Sequence, residues 1–129
     1  MGSAAGMTQV QELEINQGIA AIYEDQLGKG PAEVWTVIHG DLVTAVVVGS
    51  LTKTERVLVA NGRDGLVREV RRQFQETIRT DVQNLIQRVV GKKAVSFLSD
   101  HDTSADIAAE LVLFRSWDGA SGPPTAQGA

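Results

Sequence analysis

At 129 residues, with a formal net charge of −4 and no cysteine, the chain is long enough for one domain with its own core and holds no disulfide frame, thiolate nucleophile or cysteine-based zinc site. Its 43% hydrophobic and 22% charged residues speak against disorder and fibrous architecture, and the acidic balance speaks against a general nucleic-acid binder, whose affinity rests on neutralising phosphates. No unbroken apolar run, Ala45 to Val48 included, approaches the roughly 20 residues that cross a bilayer, so no direct membrane insertion is expected, and without a signal-like start the expected location is the cytoplasm.

The opening "MGSAAGM", residues 1–7, reads as an expression scar, and "DGASGPPTAQGA", residues 118–129, as a flexible tail without hydrophobic periodicity. Between them, residues 8–117 form the expected single domain. From Thr8 to Leu27, Ile15, Ile19, Ile22, Tyr23 and Leu27 recur at helical spacing; Gly28 then serves as a stop and Pro31 prevents resumption. Val34 to His39 and Leu42 to Val48 read as strands joined by a tight Gly40-Asp41 turn. Thr52 and Glu55 have the spacing of a capping box that opens a short helix from Lys53 to about Asn61, with Gly62 as its stop. A long helix from about Asp64 to Val90 follows, with Val67, Val70, Phe74, Ile78, Val82, Leu85 and Val89 on its apolar face and Gly91 beyond its end. Ala94 to Leu98 and Ile107 to Phe114 are then two strands, and the polar "SDHDTSAD" between them reads as a turn. The expected fold class is α+β: two layers, a four-stranded mainly antiparallel sheet with helices on one side, in the order α-β-β-α-α-β-β.

Five segments carry a family resemblance: "GKGP" at 28–31, "GSLTKTE" at 49–55, "GLVREVRRQF" at 65–74, "LIQRVVGKK" at 85–93 and "VSFLSDHDTSADIAAELVLF" at 95–114. In this order they resemble the MpsC-like family, small bacterial proteins named after the accessory component of a Na+-translocating, membrane-potential-generating system. The resemblance implies association with membrane ion or inorganic-carbon transport and a membrane transport protein as partner. It supplies no catalytic residues.

The residues themselves offer few reactive arrangements. Asp100, His101 and Asp102, with Asp106 nearby, are the alternative metal or small-ligand site, and with His39 they are the only basis for an enzyme-like reading. Their spacing matches neither an EF-hand loop nor a His-Glu-x-x-His helix, so the turn-forming role is preferred, and no metal, cofactor or catalytic residue is expected. No nucleophile elbow or serine-histidine-acid order is present. "GKGP" follows a helix instead of leading from a strand into one, so it makes neither a phosphate loop nor the G-x-x-G loop of a KH-type RNA module.

Arg68, Arg72 and Arg79 share one meridian of the long helix, with Arg71 close by. Beside the plain reading of a solvated helix face, they are candidates for binding a partner or an anion. Trp35 and Trp117 suit either a core or an interface, and Trp117, just beyond the last strand, is the candidate for a domain edge or subunit contact. Val46, Val47 and Val48 in succession cannot all face one helix layer, because neighbours in a strand point to opposite sides. A homodimer that covers the second sheet face is therefore expected, and the sequence favours a non-enzymatic accessory or regulatory protein-interaction domain.

Overall fold

A computed structural model describes residues 4–116; Trp117 and the tail expected at 118–129 lie outside them. The elements follow as α1 (Ala4–Leu27), β1 (Glu33–His39), β2 (Leu42–Val48), α2 (Lys53–Ala60), α3 (Asp64–Val90), β3 (Ser96–Asp102) and β4 (Ile107–Leu113). The α-β-β-α-α-β-β order is the expected one. Helix α1 begins at Ala4, within the stretch that the sequence reading had set aside.

The four strands form one antiparallel sheet in the order β1-β2-β4-β3, so each hairpin supplies one central and one edge strand. The central pair matches Leu42 with Leu113 and Val48 with Ile107. Helices α1 and α3 pack over one face, where Ile15, Ile19, Ile78, Val82 and Ile86 meet Val43, Ala45, Val47, Phe97, Ala108 and Val112. The alternation of β2 decides the valine question: Val43, Ala45 and Val47 point into the core, and Leu42, Thr44, Val46 and Val48 are half-buried on the other side.

Two glycines set the helix geometry. A Cβ on Gly18 would lie 2.5 Å from Leu85 Cδ2, so the absence of a side chain lets α1 sit close against α3. Gly91, at φ 78°, ends α3 in the left-handed conformation and donates its N–H to the Gln87 carbonyl at 2.8 Å.

Three sequence expectations need correction. The strand β3 runs through Asp102, so "SDHD" lies in the sheet and only residues 103–106 turn; Ser99 pairs with Glu110, Asp100 with Ala109 and His101 with Ala108. A strand at the sheet edge accommodates polar residues because one side of it meets solvent. Second, Val70, expected on the apolar face of α3, is 50% exposed. Third, Arg71, expected near a surface stripe, is 1% exposed, because the half-buried Glu55 carboxylate pairs with it.

Candidate functional site

Four of the five segments singled out in the sequence, all but "LIQRVVGKK", converge on the turn that leads from β2 into α2. Thr52 caps α2, its hydroxyl accepting from the Glu55 N–H at 3.2 Å while Glu55 Oε1 accepts from the Thr52 N–H at 2.9 Å. Arg71 reaches the same place from α3. Its Nε donates to Glu55 Oε2 and its Nη2 to Glu55 Oε1, both at 2.8 Å, and Nη2 also donates to the Ser50 carbonyl at 2.6 Å. This two-pronged geometry suits a planar guanidinium, and Nη1 also donates to Ser50 Oγ at 3.2 Å.

"GKGP" arrives from the end of α1. Lys29 Nζ donates to the carbonyls of Gly49 at 3.3 Å and Leu51 at 3.1 Å. From the opposite side, Asp106 accepts from the Leu51 N–H with both carboxylate oxygens at 3.2 Å and from His101 Nε2 at 3.3 Å. Asp106 holds φ 55°, a conformation that Asp tolerates better than most side chains. The turn at 49–55 is therefore tied to α1, α3 and the β3–β4 hairpin at once.

Burial shapes the titration of this layer. Burial pushes the Glu55 carboxyl up, but hydrogen bonds from Arg71 and the Thr52 backbone outweigh it and hold the group below its usual value. His101 is held below the usual imidazole range, first by burial and then by the Arg71 charge, against the pull of Asp106. Glu110, 1% exposed in the middle of β4, is pushed up to about 7 by burial, while Ser99, Arg79 and Tyr23 act in the opposite direction. Among the described residues its Oε1 has no hydrogen-bond partner, and neither does Ser99 Oγ. Burial also raises the neighbouring Tyr23 hydroxyl far above its normal range.

The structure separates the residues proposed for a metal. Asp100 and Asp102 are exposed while His101 between them is buried, as alternation along a strand requires. His39 is exposed at the end of β1, on the opposite edge of the sheet. Among the described residues no three His, Asp or Glu side chains are grouped to hold a metal ion.

The four arginines also divide. Arg71 is consumed by Glu55 and Ser50, and Arg79 donates to the Phe97 carbonyl at 2.9 Å and lies 4.7 Å over the Phe97 ring. Arg68 and Arg72 stay on the surface, paired with Asp64 at 3.3 Å and Glu69 at 2.8 Å. Hydrogen bonds from Arg72 and Gln73 hold the exposed Glu69 carboxyl down to about 2. Both arginines line a cleft of about 260 Å³ between the first half of α3 and β3, together with Gln75, Asp100 and His101. Gln75 is a buried residue that sequence reasoning missed, although it lies three residues before Ile78 and seven before Val82 on the face of α3 that packs inward. No described helix is long and apolar enough to cross a membrane.

No solved structure matches the chain. A relative from Bacillus subtilis (strain 168), the uncharacterized protein YbcI, is 30% identical over 91 residues, which cover 69% of this chain and 73% of the relative. Residues 8–116 match the family described as Na+-translocating membrane potential-generating system (MpsC). That match spans the helices, both hairpins and the junction around residues 49–55, and the chain belongs to the MpsC family.

Proposed function

We propose that this protein is a cytoplasmic, non-enzymatic accessory domain of a Na+-translocating, membrane-potential-generating system, and that it works as a homodimer docked to a membrane transport protein. The family description supports the association. The observation that carries the dimer is the sheet face away from the helices. Trp35 is 53% exposed there, Val37 49%, Leu98 62% and Ile107 41%, and Val46, Ala109 and Leu111 lie half-buried between them.

A soluble protein rarely leaves an apolar surface of this extent to water. The occupant we assign is a second copy. The carboxylates on this side, Glu33, Asp100 and Asp102, belong to the edge strands, while the central strands present Thr44, Val46, Val48, Ala109 and Leu111. Two such faces related by a twofold axis join apolar centre to apolar centre and leave the like charges at the rim, in water.

Sedimentation of wild type and two variants tests this reading. Wild type is expected as a dimer, Val46→Lys as a folded monomer with unchanged helical circular dichroism, and Val47→Lys as an unfolded chain because Val47 lies in the core. A wild type that stays monomeric over the accessible concentration range removes the dimer. A dimeric protein whose Val46→Lys variant supports the same membrane potential in cells as wild type removes the link between this face and function.

A further inference from the structure

The cleft between α3 and β3 has the chemistry of a ligand site that the accessory role does not require. Gln75 is among its lining residues, 7% exposed, and its Nε2, itself buried, has no hydrogen-bond partner among the described residues. A buried amide donor left unpaired carries an uncompensated desolvation cost, so a site that retains one favours an acceptor brought from outside. The terminal amide torsion of Gln is broad, which lets the donor turn toward the cleft at little cost.

Arg68 and Arg72 stand one helical turn apart at the rim. Their side chains are 62% and 64% exposed, and each is paired only with a carboxylate on its own helix. Such exposed pairs contribute little to stability, so exchanging or sharing a partner costs little. Arg72 spends Nε and Nη2 on Glu69, and Arg68 spends Nη2 on Asp64; the remaining guanidinium donors are available to a second acceptor. The two carboxylates at the cleft are already engaged: Glu69 by Arg72 and Gln73, and Asp100 by the His101 backbone N–H at 2.8 Å. The volume, about 260 Å³, lies just below the range of drug-sized pockets and suits a small ligand.

We propose that this cleft binds a small oxyanion, with Arg68 and Arg72 receiving its charge at the rim and Gln75 Nε2 donating to it from the lining. All three groups offer N–H donors and so call for acceptor oxygens, and both phosphate and carboxylate supply these in the geometry that guanidinium recognises. The assignment uses neither the outer sheet face nor the dimer, so it stands or falls separately.

The test is nuclear magnetic resonance of the ¹⁵N-labelled full chain at fixed ionic strength, titrated in separate arms with sodium phosphate and sodium acetate against sodium chloride. Saturable shifts of the Gln75 side-chain amide and of the Arg68 and Arg72 Nε signals are expected in at least one oxyanion arm, and the arm that saturates first identifies the ligand chemistry. Arg72→Gln should weaken that binding about tenfold to a hundredfold, the loss of one charge-assisted hydrogen bond, while Arg88→Gln, exposed on α3 outside the cleft, should leave it unchanged. Because Arg72 is a surface residue, its variant keeps the fold and gives an answer even where Gln75→Leu does not. Shifts no different from chloride in both arms, or equal weakening by Arg72→Gln and Arg88→Gln, would overturn the proposal.

Discussion

Glu55 closes the first turn of α2 and, with the same carboxylate, clamps Arg71 of α3 at 2.8 Å through both oxygens. One side chain thus fixes a helix end and the angle at which the next helix crosses it. Glu55→Ala should therefore cost much more than the roughly 1 kcal/mol typical of a lost cap, because it strands a guanidinium that is 1% exposed. We expect about 3–5 kcal/mol in urea melts, and a large part of that recovered in the double variant Glu55→Ala, Arg71→Met, which removes the buried charge as well. A single-variant loss of only about 1 kcal/mol would show that Arg71 finds other partners.

Phe74→Ala should cost about 3 kcal/mol. The ring lies edge-on to Tyr23 with centroids 5.3 Å apart, and the Arg71 guanidinium lies 5.3 Å from its centre. Arg72→Ala, on the solvent side of the same helix, should change stability little, since its pair with Glu69 is exposed. Equal losses for the two variants in denaturant titrations would contradict the observed phase of α3.

Glu110 predicts an unusual pH response. Its folded-state value near 7 is above the usual 4.5, so between these values the folded chain holds a proton that the unfolded chain has released. The contribution of Glu110 to stability is therefore fully present at low pH and is lost as pH rises from about 4.5 to about 7, on the order of 3 kcal/mol in all. His101, whose value is depressed, acts in the opposite sense: its contribution is lost as pH falls below the ordinary imidazole value. Glu110→Gln removes the first effect alone. The variant should gain stability relative to wild type at pH 8 and show less of the acid-side gain. Parallel stability–pH curves for the two proteins would mean that Glu110 keeps its ordinary carboxyl value in the fold.

Gly18→Ala tests the closeness of α1 and α3. Ala is the better helix former by about 1 kcal/mol, but its Cβ must displace Leu85, which is 5% exposed and hemmed in by the core. The expected net result is a loss of about 1–2 kcal/mol, and Gly18→Ala with Leu85→Val should recover part of it. A gain in melting temperature for the single variant would show that Leu85 moves aside freely.

Much of this architecture was legible because it rests on local rules. The three-four spacing of α3, the Thr52–Glu55 capping box and the glycine after Val90 all appear where periodicity and cap chemistry place them. The buried polar layer was not legible in the same way. Charged residues default to the surface, and the reason Arg71 departs from that default is Glu55, 16 residues away and invisible until both helices are in place. One signal was nevertheless present in β4. Glu110 shares the parity of Ala108 and Val112, so a strict two-residue alternation already put a carboxylate in the core. The same alternation joins His101 and Ser99 to Phe97 in β3, where the acidic neighbours suggested a turn instead.

The strand order carries a consequence for how the chain assembles. Each hairpin joins neighbours in sequence, so β1–β2 and β3–β4 close over short loops, whereas the β2–β4 ladder pairs Val48 with Ile107 across the whole of α2 and α3. Loop closure of that span costs entropy before any contact rewards it. The two hairpins are thus the early units of folding, and the seam between them forms last, once α3 has laid its apolar face over both. Read in reverse, that seam is the line along which the sheet parts first when the protein opens, and hydrogen exchange should find Ala45 and Glu110 amides released together with those of α3.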